Sequence, residues 1–224
     1  NGRSDQGKHK DRQKLDGIGL MMKPRVVGIT GGISSGKSSI GRMLASLGAH
    51  YLNADEMCHK RMLVKEVKDK IVEEFGAEVL DVSGNVDRSR LAKIVFQDKA
   101  RLDALCAILH PPVIEQIQTK IAEIERQGRR KVVVIDAALL EESGLAIFCD
   151  FVIFVNTGKE HRIERSQLTR HWPADELEKR EKFQMGLEEK KRSADYIIDN
   201  NFTAENTFRQ VKEFWQHCLE ERQS

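Results

Sequence analysis

Eight residues limit this chain's possible folds more than any others. Gly31-Gly-Ile-Ser-Ser-Gly36-Lys37-Ser38 fits G-x-x-x-x-G-K-[ST], and it stands between a run with strand character, Arg25-Val-Val-Gly-Ile-Thr30, and a helical pattern from Lys37 to Leu47. That setting is what the pattern requires. A strand carries the loop to a sheet edge, and the loop amides with the following helix N-terminus form an anion cradle. Gly31, Gly32, Ser34, Ser35, Gly36, Lys37, Ser38 and Ser39 are therefore candidate nucleotide-phosphate ligands. Lys37 is placed to reach the β- and γ-phosphates and the Ser38 hydroxyl to bind Mg²⁺. The loop lacks the G-x-G-x-x-G spacing of a dinucleotide site.

Downstream, short apolar runs alternate with amphipathic segments. His50–Asn53, Lys131–Asp136, Asp150–Val155 and Tyr196–Ile198 read as further strands. Strands separated by helices predict an α/β fold, a parallel sheet covered on both faces. Two insertions interrupt the alternation. Residues 55–130 show helical periodicity, as in Val67, Ile71 and Phe75 or Leu102, Leu105 and Leu109, and read as a helical subdomain after the second strand. Residues 159–193 hold ten basic and eight acidic side chains with little aliphatic content, which predicts a mobile, exposed helical hairpin. A last helix over roughly 203–221 carries Phe208, Val211, Trp215 and Leu219 on one stripe.

Composition excludes several classes. With 40% hydrophobic and 32% charged residues the chain is globular, and no apolar run approaches the ~18 residues of a membrane span. The net charge of +2 is misleading as a sign of nucleic-acid binding. Residues 1–23 alone hold six Lys and Arg against three Asp, so the rest is slightly acidic. Those 23 residues read as a flexible tail or cloning remnant. Cys58, Cys106, Cys149 and Cys218 form no C-x-x-C pair, which favours a reducing, cytoplasmic setting over a zinc knuckle or disulfide scaffold.

Asp81-Val-Ser-Gly84 matches the GTPase D-x-x-G pattern, but it follows a helix and has turn composition, and no N-K-x-D occurs. A small-molecule kinase needs an orienting or basic group for the acceptor hydroxyl and mobile cations over the phosphoryl group. Asp55, just past the second strand, suits a base or a Mg²⁺ ligand, or else caps a helix starting at Glu56. Asp136 ends the third strand as a Walker-B-like carboxylate or a plain strand-end cap. Arg165 and Arg170 are the insertion's candidates for clamping phosphate.

These residues together resemble the dephospho-coenzyme A kinase family, from about Pro24 to Leu219. Ile29-Thr-Gly-Gly-Ile-Ser-Ser-Gly-Lys-Ser38 is similar to its T-G-G-I-G-S-G-K-S, and Asn53-Ala-Asp55 to D-A-D. Val86-Asp-Arg-Ser-Arg-Leu91 with Ile94-Val-Phe96, Leu109-His-Pro111 and Ile198-Asp-Asn-Asn201 follow in the family's order. The resemblance implies a P-loop core (24–54, 131–158 and 194–224), a helical coenzyme A-side domain (55–130) and a helical lid (159–193). It implies ATP and Mg²⁺ as cofactors, and the ribose 3′-hydroxyl of dephospho-coenzyme A as acceptor. Neither nucleic acid nor membrane enters as a partner. Asp55 is then the general base, with Lys37 and Arg165 spreading charge; Arg88, His110 and Asp136 lie on the acceptor side, and Asn200 and Asn201 near adenine.

This sequence departs from the family at four places. Ser34 replaces a Gly, which is tolerable only if φ stays negative there. Asn53 replaces the first Asp of D-A-D, and Asp136-Ala-Ala-Leu-Leu-Glu141 replaces D-x-P-L-L-F, altering the acceptor wall. Thr169 stands where the lid's second arginine is expected, so Arg165 is preferred to Arg170. His110, before Pro111-Pro112, reads as a helix-start residue. Another P-loop nucleoside or metabolite kinase, or a nucleotide-dependent switch, is the alternative.

Overall fold

The computed structural model describes residues 23–128 and 131–220, with side chains through 217; residues 1–22 of the 23-residue tail, and the Leu219 and Cys218 side chains, lie outside the described residues. The elements run β1 (Arg25–Gly31), α1 (Lys37–Ser46), β2 (His50–Asn53), α2 (Ala54–Arg61), α3 (Lys65–Phe75), α4 (Arg88–Val95), α5 (Lys99–Arg126), β3 (Val132–Asp136), β4 (Phe151–Asn156), α6 (Lys159–Arg170), α7 (Glu176–Glu181), α8 (Leu187–Ser193), β5 (Tyr196–Asp199) and α9 (Ala204–Glu220). Among the described residues the strands form one parallel sheet in the order β2-β3-β1-β4-β5. β1 is central, with β3 on one side and β4 on the other. That is where the strand order reverses and where open α/β sheets place ligands.

Both faces are covered. In β3, Val132 and Val134 join α1 and α9 through Ile40, Leu44, Val211 and Phe214, while Val133 and Ile135 pack with Leu140, Val113 and Ile117 on the opposite face. This is the period-two alternation of a strand buried on both sides. Register brings Asn53 beside Asp136 and Asn156 beside Asp199, so the carboxyl ends of all five strands meet along one edge. The sheet positions the site by that alignment.

A third core lies within the helical insertion. Met62, Val67, Ile71, Phe75, Leu91 and Val95 pack on Leu102, Leu105 and Leu109 of α5. The Asp81–Gly84 stretch is a turn, closed by Asp81 Oδ1 accepting from the Ser83 and Asn85 amides at 2.8 and 3.0 Å. One expectation fails at Pro111-Pro112. These prolines lie inside the 28-residue α5 rather than at a helix start. They have no amide hydrogen for the Ala107 and Ile108 carbonyls, yet the helix continues because Leu102, Leu105 and Leu109 are held in the insertion and Val113, Ile117 and Ile124 on the sheet. Residues 113–126, counted with the insertion on sequence, thus pack on the sheet.

Residues 159–193 also differ from the expected exposed hairpin. They form three helices, and Arg162, Ser166, Leu177 and Lys190 are buried. Two of the cations, Arg162 and Lys190, are paired inward, while most of the other charged side chains are exposed. Lys190 Nζ donates to Ala138 O at 2.9 Å and lies 3.1 Å from Glu142 and 3.7 Å from Glu141, and Thr30 Oγ1 donates to Glu141 at 2.9 Å. A buried cation is tolerated only with such partners, so the segment carries anchors within a mixed composition that is otherwise largely solvated.

Candidate active site

The β1–α1 loop is shaped by close approach. Gly31 and Gly36 have φ of 140° and 95°. A Cβ on Gly32 would come within 2.6 Å of Arg162 Nη1, and one on Gly36 would run into Asn200 Nδ2. Ser34 contradicts the expectation of negative φ: it sits at 60°, in the left-handed region. That conformation costs a non-glycine residue about 1–2 kcal/mol, and it is imposed by the loop's fixed ends. The Ser35 carbonyl alone accepts from Thr157 Oγ1 (2.8 Å), Asn200 Nδ2 (2.8 Å) and Arg165 Nη1 (3.3 Å). The Ser34 and Ser35 hydroxyls are buried without a partner.

Lys37 folds along the loop, its Nζ donating to the carbonyls of Gly31 at 3.1 Å and Gly32 at 2.9 Å. Burial lowers its pKa, and the charges of Asp136 and Asp55 oppose that fall. Asp136, 2% exposed, gathers three donors on Oδ2: Ser38 Oγ and Tyr51 Oη, each at 2.6 Å, and Asn53 Nδ2 at 3.3 Å. Loss of hydration, then the bond to Asp136, pushes the Tyr51 phenol up to about 12.

The cap of α2 is Asn53, whose Oδ1 accepts from the Glu56 amide at 2.8 Å. The alternative reading of Asp55 as that cap is therefore wrong, and the departure from D-A-D gains a reason. An amide caps with its oxygen while its nitrogen reaches Asp136, where a second carboxylate would be repelled. Asp55 itself stays exposed on the cleft side, with the Ala138 amide 3.5 Å from Oδ1. Protein crowds it from behind, and that desolvation raises its pKa; Lys37 opposes the rise and Asp136 adds to it. Beyond Asp55 opens a cavity of about 150 Å³ lined by Cys58, Leu105, Cys106, His110, Leu139 and neighbours. Burial lowers the pKa of His110, which stands inside α5 in that wall rather than at a helix start.

The two candidate arginines of α6 divide by position. Arg165 donates to Ser35 O and, at 3.0 Å, to Asn200 O, tying the β5–α9 turn to the phosphate loop. Arg170, ranked second on sequence, is the one whose charge acts on Asp55, and it stands 4.8 Å from the Trp172 ring. Arg88 is exposed at the start of α4, with its charge acting on His59 and Arg170. Asn201 Oδ1 accepts from the Gly158 amide at 2.7 Å, which sets it beside the base of α6. Sequence reasoning missed Tyr51, Thr157 and Glu181, and gave Arg162 no role. Only Arg162 had a usable signal, its i,i+3 spacing to Arg165 on one helical face.

Residues 25–206 match the family model described as Dephospho-CoA kinase. The chain belongs to the dephospho-CoA kinase family. It is 36% identical over 197 residues to the dephospho-CoA kinase of Fusobacterium nucleatum subsp. nucleatum, covering 86% of this chain and 98% of that one. To the dephospho-CoA kinase of Symbiobacterium thermophilum it is 41% identical, covering 86% and 80%. Among solved structures it is similar to TT1252 from Thermus thermophilus, with a TM-score of 0.73, 28% identity and coverage of 88% of this chain and 98% of that one. The membership makes the chain a P-loop kinase, a phosphotransferase acting on an alcohol group. Among the described residues no helix is long and apolar enough to cross a membrane.

Proposed function

We propose that this chain transfers the γ-phosphoryl group of ATP to the ribose 3′-hydroxyl of dephospho-coenzyme A, giving coenzyme A and ADP, in a cytoplasmic setting. The observation that carries the reading is the position of Asp55, between the phosphate loop, where its charge acts on Lys37, and the acceptor-side cavity. Asp55 orients the hydroxyl and takes its proton as the new O–P bond forms and the bond from Pγ to the ADP oxygen breaks. Desolvation raises its carboxyl pKa above the ordinary carboxylate range, which strengthens it as a base. Lys37 and Arg170 neutralise charge on the transferring group, while Arg165, Asn200 and Asn201 build the nucleotide-side wall. Arg88 and His110 face the acceptor.

The fit of the cofactors rests on the chain's own atoms. The unpartnered Ser34 and Ser35 hydroxyls and the glycine approaches leave a cradle with donors to spare for polyphosphate oxygens. Among the described residues no three His, Cys, Asp or Glu side chains converge on a metal site. Mg²⁺ is commonly held by one or two carboxylates with phosphate and water, so Ser38, Asp136 and Asp55 suffice as its protein ligands. When bound, Mg²⁺ supplies charge neutralisation at the β- and γ-phosphates. A coupled ADP-release assay tests the proposal. ADP should appear only when ATP and dephospho-coenzyme A are both present; release that ignores dephospho-coenzyme A but responds to a nucleoside or sugar would overturn it.

A further inference from the structure

Glu181, the last residue of α7, reaches into a loop built for anions. Its Oε1 accepts from the Ile33 amide at 3.1 Å and from Arg162 Nη1. Both partners lie over Gly32, where a Cβ would sit 2.6 Å from Arg162 Nη1 and 3.0 Å from Glu181 Oε1. Arg162 is 4% exposed and is fixed by Nε donating to Thr157 O at 3.2 Å. A backbone amide and a guanidinium, converging on one oxygen above a glycine, are the donors a phosphate oxygen uses. Here a carboxylate occupies them.

The location selects which phosphate it competes with. Ile33 is on the strand side of the loop, four residues before Lys37, whereas the α- and β-phosphates are held toward the helix N-terminus. We propose that Glu181 is a latch standing in for the terminal phosphate: a nucleoside triphosphate displaces it from Ile33 and takes over Arg162, and a nucleoside diphosphate leaves it seated. The inference rests on nucleotide binding at this loop. It makes Arg162 a further ligand of the transferring group, and it lets the lid distinguish substrate from product, since the carboxylate returns once that group has left. Displacing Glu181 also moves Arg180, whose guanidinium lies 4.1 Å from the Trp172 ring and 4.5 Å from that of Phe96. Phe96 packs in the helical insertion, so the latch is in contact with the acceptor side.

The test is titration of the full chain with Mg²⁺ and either a non-hydrolysable ATP analogue or ADP, by calorimetry. Glu181→Gln keeps an acceptor for Ile33 but removes the charge. It should tighten triphosphate binding about tenfold and leave ADP binding within about twofold. Arg162→Gln should weaken the triphosphate and spare ADP. An unchanged or lowered triphosphate-to-diphosphate affinity ratio in Glu181→Gln overturns the latch. A second readout avoids altering the pair: in a Trp215→Phe background, Trp172 emission should shift with the triphosphate and not with ADP, and equal responses overturn the proposal. Turnover of dephospho-coenzyme A with an unchanged ratio removes the latch and keeps the kinase. An altered ratio without acceptor-dependent ADP does the reverse.

Discussion

Tyr51→Phe removes one oxygen and leaves the ring packed on α1, so it isolates what the phenol does for Asp136. The Asp136 carboxylate, 2% exposed, receives Tyr51, Ser38 and Asn53 on a single oxygen. A hydrogen bond to a charged group contributes about 1.5–3 kcal/mol. Two features of the site favour the lower end. Tyr51 is only half-buried, so water partly replaces it, and Asn53 Nδ2, 3.3 Å from Asp136 Oδ2 and 3.1 Å from the Tyr51 oxygen, can turn fully to the carboxylate. A loss of about 1.5 kcal/mol in a domain of this size lowers Tm by roughly 3–6 °C, measurable by calorimetry. A double-mutant cycle with Asp136→Asn assigns the loss to the pair. In that background the same substitution should cost only the ~0.5–1 kcal/mol of a neutral hydrogen bond. A Tm within 1 °C of the parent, or equal losses in both backgrounds, would refute the carboxylate hub.

Asp55→Asn separates activity from stability. It should lower kcat by about 10²–10⁴-fold while preserving ATP binding, and raise Tm at pH 8. The sign follows from linkage: the folded pKa lies above the ordinary 3.8, so the folded chain holds the proton more tightly, and ionised Asp55 costs stability above its folded pKa. The gain should therefore shrink as pH falls through the raised value and vanish below 3.8, while parental kcat declines over the same acid limb. Matched melting curves at pH 8 would contradict this. Lys190→Met should destabilise by about 3–5 kcal/mol, because it takes the buried cation away from the Glu141 and Glu142 carboxylates. Adding Glu141→Gln and Glu142→Gln should restore most of that in urea denaturation, and no recovery would place the loss elsewhere.

The sheet was legible because buried parallel strands are short, apolar and bounded, and the phosphate loop because its chemistry is contiguous. What stayed hidden depends on juxtaposition across the chain. Asn53 reads as a lost carboxylate until β2 and β3 are in register and Asp136 is seen to need a donor there. Glu181 and Arg162 are 19 residues apart on separate helices, and no periodicity links them. Lys190 is one of ten basic residues in its segment and differs from the exposed ones only through its partners. Local rules misled at two points: Pro111-Pro112 signalled a helix start that packing on both sides overrode, and Ser34 followed the loop's shape against its own backbone preference. Arg170 was ranked below Arg165 on spacing alone, which says nothing of which arginine the helix end turns toward Asp55.

The unbroken α5 has a mechanical consequence. At about 1.5 Å per residue its 28 residues make a rod some 42 Å long, clamped at one end by the insertion and at the other by the sheet. Its bending resistance is lowest where two successive amide hydrogens are missing, one residue beyond His110. Any tilt of the helical insertion against the sheet is therefore concentrated at a pivot in the cavity wall. Insertion and sheet hang on one lever, and its fulcrum is part of the pocket.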